Sequence, residues 1–247
     1  MNTQVWDAAV IGWRRLAQRP GVFVWERHGD ADCFWWTGSP GKIAHQLFLS
    51  TPTAETLTNS VHEALQTRRD GGDVCLRILD REDLAAALDA FHPKSSNTAP
   101  LLLCDLAHRP AAPPSEFRTA IIGGVEERAR LLRMVGGVYD DPDGLTGFFH
   151  GAGEIVGVFD GDRLVSSATV VPAGDTANIW SVATAQEERG RGAASVVVVA
   201  ALDRAAAAGC SYAGLGTSDE LVGWYGRFGF AEVGRERSAV LSRPSAT

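Results

Sequence analysis

Apolar residues recur along this chain in two rhythms. From Gln4 to Gln18, Val5, Ala8, Ala9, Trp13 and Leu16 fall at helical spacing, so one amphipathic helix is expected there. Gly21 to Arg27 and Asp32 to Thr37 read as strands joined by the turn-rich His28-Gly29-Asp30-Ala31, and Ile43 to Leu49 reads as a third. A helix follows from Ala54 to Arg68, stopped by Asp70-Gly71-Gly72, and Val74 to Leu79 is apolar enough for a buried strand. Asp80 is placed to cap a helix running through Phe91, with Asp83 in its first turn, and Pro100 to Leu106 is another strand. The predicted order is β-β-β-α-β-α-β.

The second half repeats that order. Arg109-Pro110-Ala111-Ala112-Pro113-Pro114 is stiff and poor in hydrogen-bond donors, so the halves divide there, as 1–108 and 117–247 about a linker at 109–116. Glu126 to Val135 is helical, and Asp140-Asp141-Pro142-Asp143-Gly144 is an acidic turn. Glu154 to Asp160 and Asp162 to Val171 form a hairpin across Asp160-Gly161. Ala177 to Thr184 is a third strand, followed by a helix from Ser195 to Ala208, a strand from Tyr212 to Leu215, a short helix ended by Gly229 and a last strand from Phe230. Valines at 196 to 199 favour a strand locally. The alanines after them, with Gly209 at the end, argue for a fully buried helix instead.

Arg189-Gly190-Arg191-Gly192-Ala193-Ala194-Ser195 links the third strand to that helix. Taken alone, a glycine pair before a helix is a tight turn. It also lets backbone approach a ligand closely, and the first amides of the helix, lacking internal partners, converge on a site suited to a phosphate. Arg189 and Arg191 add charge of the matching sign. One helix and one strand later the chain reads Tyr225-Gly226-Arg227-Phe228-Gly229-Phe230. An Arg-x-x-Gly-x-Ala loop (Arg189, Gly192, Ala194) followed by Tyr-x-x-x-Gly-Phe resembles the GNAT superfamily of acyl-CoA-dependent N-acyltransferases. The resemblance covers roughly Phe117 to Val240.

That resemblance implies an α/β fold of two GNAT-like domains, each with a mixed, mostly antiparallel sheet flanked by helices. The first is a degenerate copy: after its third strand it reads Ser50-Thr51-Pro52-Thr53-Ala54, with neither glycine pair nor arginine. Only the second is expected to hold acetyl-CoA as co-substrate. Val182, Ala183 and Thr184 then face its pantetheine arm. Gly190, Arg191, Gly192, Ala193, Ala194 and Ser195, with Arg189, hold its pyrophosphate. Ser218 either touches the arm or caps the next helix. Tyr225 protonates the leaving thiolate, and the implied acceptor is a primary amine of a small molecule. The amine must lose a proton to a base. Asp219 and Glu220 suit a helix cap and first-turn charge better than a base, His150 and Glu154 are weaker candidates, and a relay through water stands beside them. Tyr139, Asp140, Asp141 and Phe149 fall where the family's acceptor pocket is lined, although the acidic trio reads better as a solvated turn than as an attractor for a cationic amine. Trp35, Trp36, Trp180 and Trp224 suit an aromatic pocket or, more ordinarily, a core.

Composition narrows the alternatives. Among 247 residues, 45% are apolar, enough for a core, and the net charge of −7 argues against a nucleic-acid partner. This weighs against a transferase that draws on aminoacyl-tRNA; a non-catalytic acyl-CoA sensor or scaffold remains as an alternative. Cys33, Cys75, Cys104 and Cys210 lack metal-ligand spacing and suit buried thiols. The opening residues do not read as a signal peptide, nor is any stretch long and apolar enough for a bilayer, so a cytoplasmic protein without a membrane partner is expected.

Overall fold

In the computed structural model the first half of the chain runs α1 (Gln4–Ala17), β1 (Phe23–His28), β2 (Ala31–Trp36), β3 (His45–Leu49), α2 (Ala54–Thr67), β4 (Val74–Leu79), α3 (Glu82–Asp89) and β5 (Ser95–Asp105). The second runs β6 (Arg118–Ile121), α4 (Val125–Tyr139), β7 (Glu154–Asp160), β8 (Arg163–Ala173), β9 (Thr176–Thr184), α5 (Ala193–Ala207), β10 (Tyr212–Gly216), α6 (Asp219–Gly226) and β11 (Phe230–Leu241). The structure describes residues 3–18, 23–37, 44–50, 52–67, 72–139 and 151–242. The acidic turn with Asp140 and Asp141, and the candidates Phe149 and His150, lie outside them. Among the described residues no helix is long and apolar enough to cross a membrane.

Packing divides the chain into two compact units. One comprises Met1–Leu101, Gly216–Asp219 and Glu232–Thr247; the other comprises Leu102–Leu215 and Glu220–Ala231. The proline-rich 109–116 falls inside the second unit, and β5 and β11 each run from one unit into the other. The last strand of each sequence half is therefore shared between units. A strand needs a paired neighbour on each interior edge, and register rather than sequence proximity selects it.

In the first unit the strands run β1-β2-β3-β4-β11-β5, and β11 pairs antiparallel with β4 from Glu236↔Leu79 to Leu241↔Val74. Strand β2 is buried on both faces. Phe34 meets Trp13 of α1, whose ring also lies 5.3 Å from Phe23 and 5.7 Å from Phe48. Cys33 and Trp35 turn to the opposite cluster with Leu57, Val61, Leu84 and Leu88 of α2 and α3. Trp35 and Trp36 are thus core residues, the second packed on Phe23. Within α1, Trp6 and Val10 are buried and Ala9 only half so, because two large side chains widen the buried face around the predicted stripe. Asp80 does not cap α3: the N-cap position is Arg81, without a side-chain cap, and the Asp80 carboxylate instead accepts from Arg237 Nε at 2.6 Å. A charge-assisted bond to guanidinium outcompetes one to a neutral amide.

In the second unit the order is β5-β10-β9-β8-β7-β6. Helix α5 covers one face, where all four valines of 196–199 are buried beside Leu102, Val156, Val170 and Ile179. Tertiary burial overrides their β propensity. Helix α4 covers the other face through Leu131 and Val135. The four cysteines are free and buried; desolvation pushes the Cys33 thiol up to about 12 and the Cys104 thiol up to about 11.

Because Leu102, Cys104 and Leu106 belong to the core around α5, residues 117–247 expressed alone lack part of that core and the strand beside β10. Burying two such leucines contributes roughly 3–6 kcal/mol, a large share of a domain's net stability. The isolated segment is expected to show no cooperative thermal transition by circular dichroism, whereas the full chain shows one. A native-like melt of the fragment would contradict the shared-strand architecture.

Candidate active site

The apolar spacing of β9 slips once. Ala177 and Ile179 lean on the cluster with α5, and so does Val182, three positions on, while Ala183 turns to the α4 side. The cause is a bulge: Ser167 pairs with Ala183 but Thr169 pairs with Trp180, so Ala168 alone opposes Ser181 and Val182. Ser181 takes φ +50°, a left-handed conformation that a non-glycine residue adopts only where surroundings over-determine it. Beyond the bulge β9 is tied to β8: Ser166 Oγ bonds Ala183 O at 2.8 Å and Thr184 Oγ1 at 2.9 Å. On the other side the parallel ladder to β10 carries three pairs and stops at Gly214↔Asn178. Val182, Ala183 and Thr184 lie past that point, where β9 has no further register pair with β10.

The next segment turns into α5. Gly190 and Gly192 take φ +82° and +91°, and a Cβ on either would meet nothing within 4 Å. The glycines answer a backbone requirement, and the space beside them is open. Ser195 and Val196 donate to Gly192 O, but the amides of Gly190, Arg191, Gly192, Ala193 and Ala194 donate no hydrogen bond among the described residues. Gly192 at the N-cap offers no side chain to receive them. Helix α2, at the matching place in the first half, differs: Thr53 Oγ1 accepts from the amide of Thr56 at 3.1 Å. One helix start is capped and the other is left open.

The two arginines of the loop part company. Arg189 is exposed and makes no ion pair among the described residues. Arg191 bonds Asp160 at 2.9 Å, Glu116 at 3.0 Å and Glu188 at 2.5 Å, and its guanidinium lies 5.3 Å from the Phe117 ring. Those bonds, to Asp160 above all and then Glu116 and Glu188, raise its pKa further and keep it charged. Glu188, 3% exposed, also receives Arg163. Arg191 therefore anchors the loop to the β7–β8 turn. Sequence spacing did not reveal this clamp, since Glu116, Asp160, Arg163 and Glu188 converge only through the hairpin. The slip of alternation at Ser181 was a legible sign of the bulge.

Tyr225 lies in the last turn of α6, 6% exposed, its ring 4.8 Å from Trp224 and 5.7 Å from Phe230. It shares one apolar cluster with α5 and with Val182. Gly229, at φ +85°, ends the turn, and a Cβ there would meet Cys104 Sγ at 3.5 Å. Ser218 is exposed and belongs to the first unit, and its hydroxyl makes no hydrogen bond among the described residues, so it caps nothing. Asp219 does not cap α6 through its carboxylate either: both oxygens receive Arg235, at 2.8 and 2.9 Å. Glu154 is held by Arg204, whose hydrogen bonds lower its pKa and make it a poorer base. Glu220 is exposed. Trp224 packs in the cluster with Tyr225 and Phe228, and Trp180 is half-buried.

With this geometry in view, solved structures of similar fold are informative. A GCN5-related N-acetyltransferase from Kribbella flavida superposes with TM-score 0.73 at 14% identity, covering 98% of this chain and 96% of that one. A tandem GNAT protein from the clavulanic acid biosynthesis pathway gives 0.65 at 11%, covering 96% and 89%. A putative GNAT-family acetyltransferase from Novosphingobium aromaticivorans gives 0.63 at 16%, covering 98% and 100%. The fold is thus that of two GNAT-like domains, as expected. Residues 126–230 match the model of the acetyltransferase (GNAT) family. No curated protein matches it by sequence.

Gly192→Ala is expected to lower stability by about 1–2 kcal/mol, the cost of a left-handed L-residue. Gly223→Ala, inside α6 with no heavy atom within 4 Å of the new Cβ, is expected to be neutral or stabilising. Paired thermal melts check the contrast, and equal shifts would contradict the backbone assignment at Gly192.

Proposed function

We propose that this protein transfers an acetyl group from acetyl-CoA to a primary amine of a small molecule, by direct attack in a ternary complex. The observation that carries the reading is the open run of amides from Gly190 to Ala194 at the start of α5, directly after a strand whose ladder to β10 has ended. Such amides, at the positive end of the helix dipole, suit a pyrophosphate. Arg189 adds a cation there, and a Cβ at Gly190 or Gly192 would meet nothing within 4 Å, so the backbone is open to a ligand's approach. The backbone of Val182 to Thr184 is assigned to the pantetheine arm, and Ser195 lines the first turn of the helix.

In the proposed reaction a neutral amine attacks the thioester carbonyl. A C–N bond forms, the C–S bond breaks, and the Tyr225 hydroxyl gives a proton to the departing thiolate. The proton lost by the amine leaves through water, because Asp219 and Glu154 are both occupied by arginines. That occupation also favours a second reading, an acyl-CoA-binding sensor without turnover. Arg191 is assigned to hold the loop in place.

Calorimetric titration with acetyl-CoA tests the site: saturable binding is expected, and Arg189→Glu with Gly192→Asp is expected to abolish it. Thiol release in the presence of primary amines separates the two readings, since a sensor binds without releasing thiol. For an active enzyme, Tyr225→Phe is expected to lower kcat by roughly 100-fold while leaving acetyl-CoA affinity unchanged, the pattern of a lost proton donor.

A further inference from the structure

A cavity of ≈ 720 Å³ opens on the α4 side of the second unit, between α4, the β7–β8 turn and residues 185–187. Its size is that of a small-molecule site. Its floor is apolar, formed by Met134, Val138 and Leu164. Arg130 and Arg133 stand at the rim on one stripe of α4, and Arg163 enters from the hairpin.

The charges are unequally satisfied. Arg163 is neutralised by buried Glu188, with Glu187 3.8 Å away. Arg130 donates to the backbone carbonyl of Asp162 at 2.9 Å, across the cavity, and one turn earlier Glu127 feels its charge while accepting from Gly123 and Gly124. Arg133 makes no ion pair among the described residues. The Asp162 carboxylate is exposed at the turn. Among the described residues, Arg130 and Arg133 on this rim have no carboxylate bonded to them, while Asp162 and Glu187 also line the cavity.

Gly137 supplies an independent observation. It sits inside α4, where glycine costs roughly 0.5–1 kcal/mol relative to alanine. It lines the cavity at an exposed position, and among the described residues a Cβ there would meet nothing within 4 Å. Its absent side chain leaves room over the apolar floor.

We infer that this cavity is a second ligand site, separate from the α5 amides, and that it takes a small organic anion: an apolar body over Met134, Val138 and Leu164 with an acidic group held by Arg133 and Arg130. Guanidinium pairs such groups with paired, charge-assisted hydrogen bonds. The inference stands independently of the acetyl-CoA reading, since none of these residues belongs to the loop.

Fluorescence titration of the full chain with 8-anilinonaphthalene-1-sulfonate, an apolar anion, tests it. Saturable one-to-one binding is expected. Arg133→Glu, at an exposed position, is expected to weaken binding on the order of tenfold or more, the effect of losing a charge-assisted contact. Gly137→Leu is expected to block the probe by filling the space, with both variants retaining the parent melting temperature. Unsaturable binding, equal affinity in Arg133→Glu, or displacement of the probe by coenzyme A would each overturn the assignment, the last by moving the probe to the α5 loop.

Discussion

A helix cannot bond its own first amides, and whatever meets that demand at the start of α5 governs the rest of the site. In α2 a threonine hydroxyl meets it locally. At α5 the N-cap is Gly192, which has no side chain to meet it. The neighbouring arrangement follows from it. The loop holds a left-handed path at two glycines, Arg191 pins that path from beside it, and β9 reaches it after its register with β10 ends at Asn178.

From β1 and from β7 onward the two halves share one element order, yet β3 and β4 pair over five residues while β9 and β10 pair over three. The bulge at Ser181 reinforces the difference by shifting the strand's phase before it reaches the loop. The strained residue sits between tightly packed neighbours, Ile179 and Ala183, which hold it in place.

Charge follows a similar division of labour. Beneath the loop, Glu116, Asp160 and Glu188 surround Arg191, so an arginine of the motif becomes part of the frame. On the α4 side, Arg133 makes no ion pair among the described residues.

Much of this was legible in the residues alone. The spacing of apolar positions in Gln4–Ala17, the Asp160-Gly161 turn and the glycine pair before α5 each act over a few residues, where local sterics and periodicity suffice. The buried four-valine helix was readable from its alanine and glycine flanks. Sequence did not reveal that β5 and β11 run from one unit into the other, that Asp80 serves Arg237 rather than α3, or that Arg191 is an anchor. Those outcomes depend on partners far apart in the chain: Asp80 and Arg237, Cys104 and Phe228, Glu116 and Arg191. The sequence by itself determined which segments are helix or strand and where amides would be left open. Only the tertiary structure decided which charges are neutralised and which strand edges are paired, because both depend on distances that the fold alone sets.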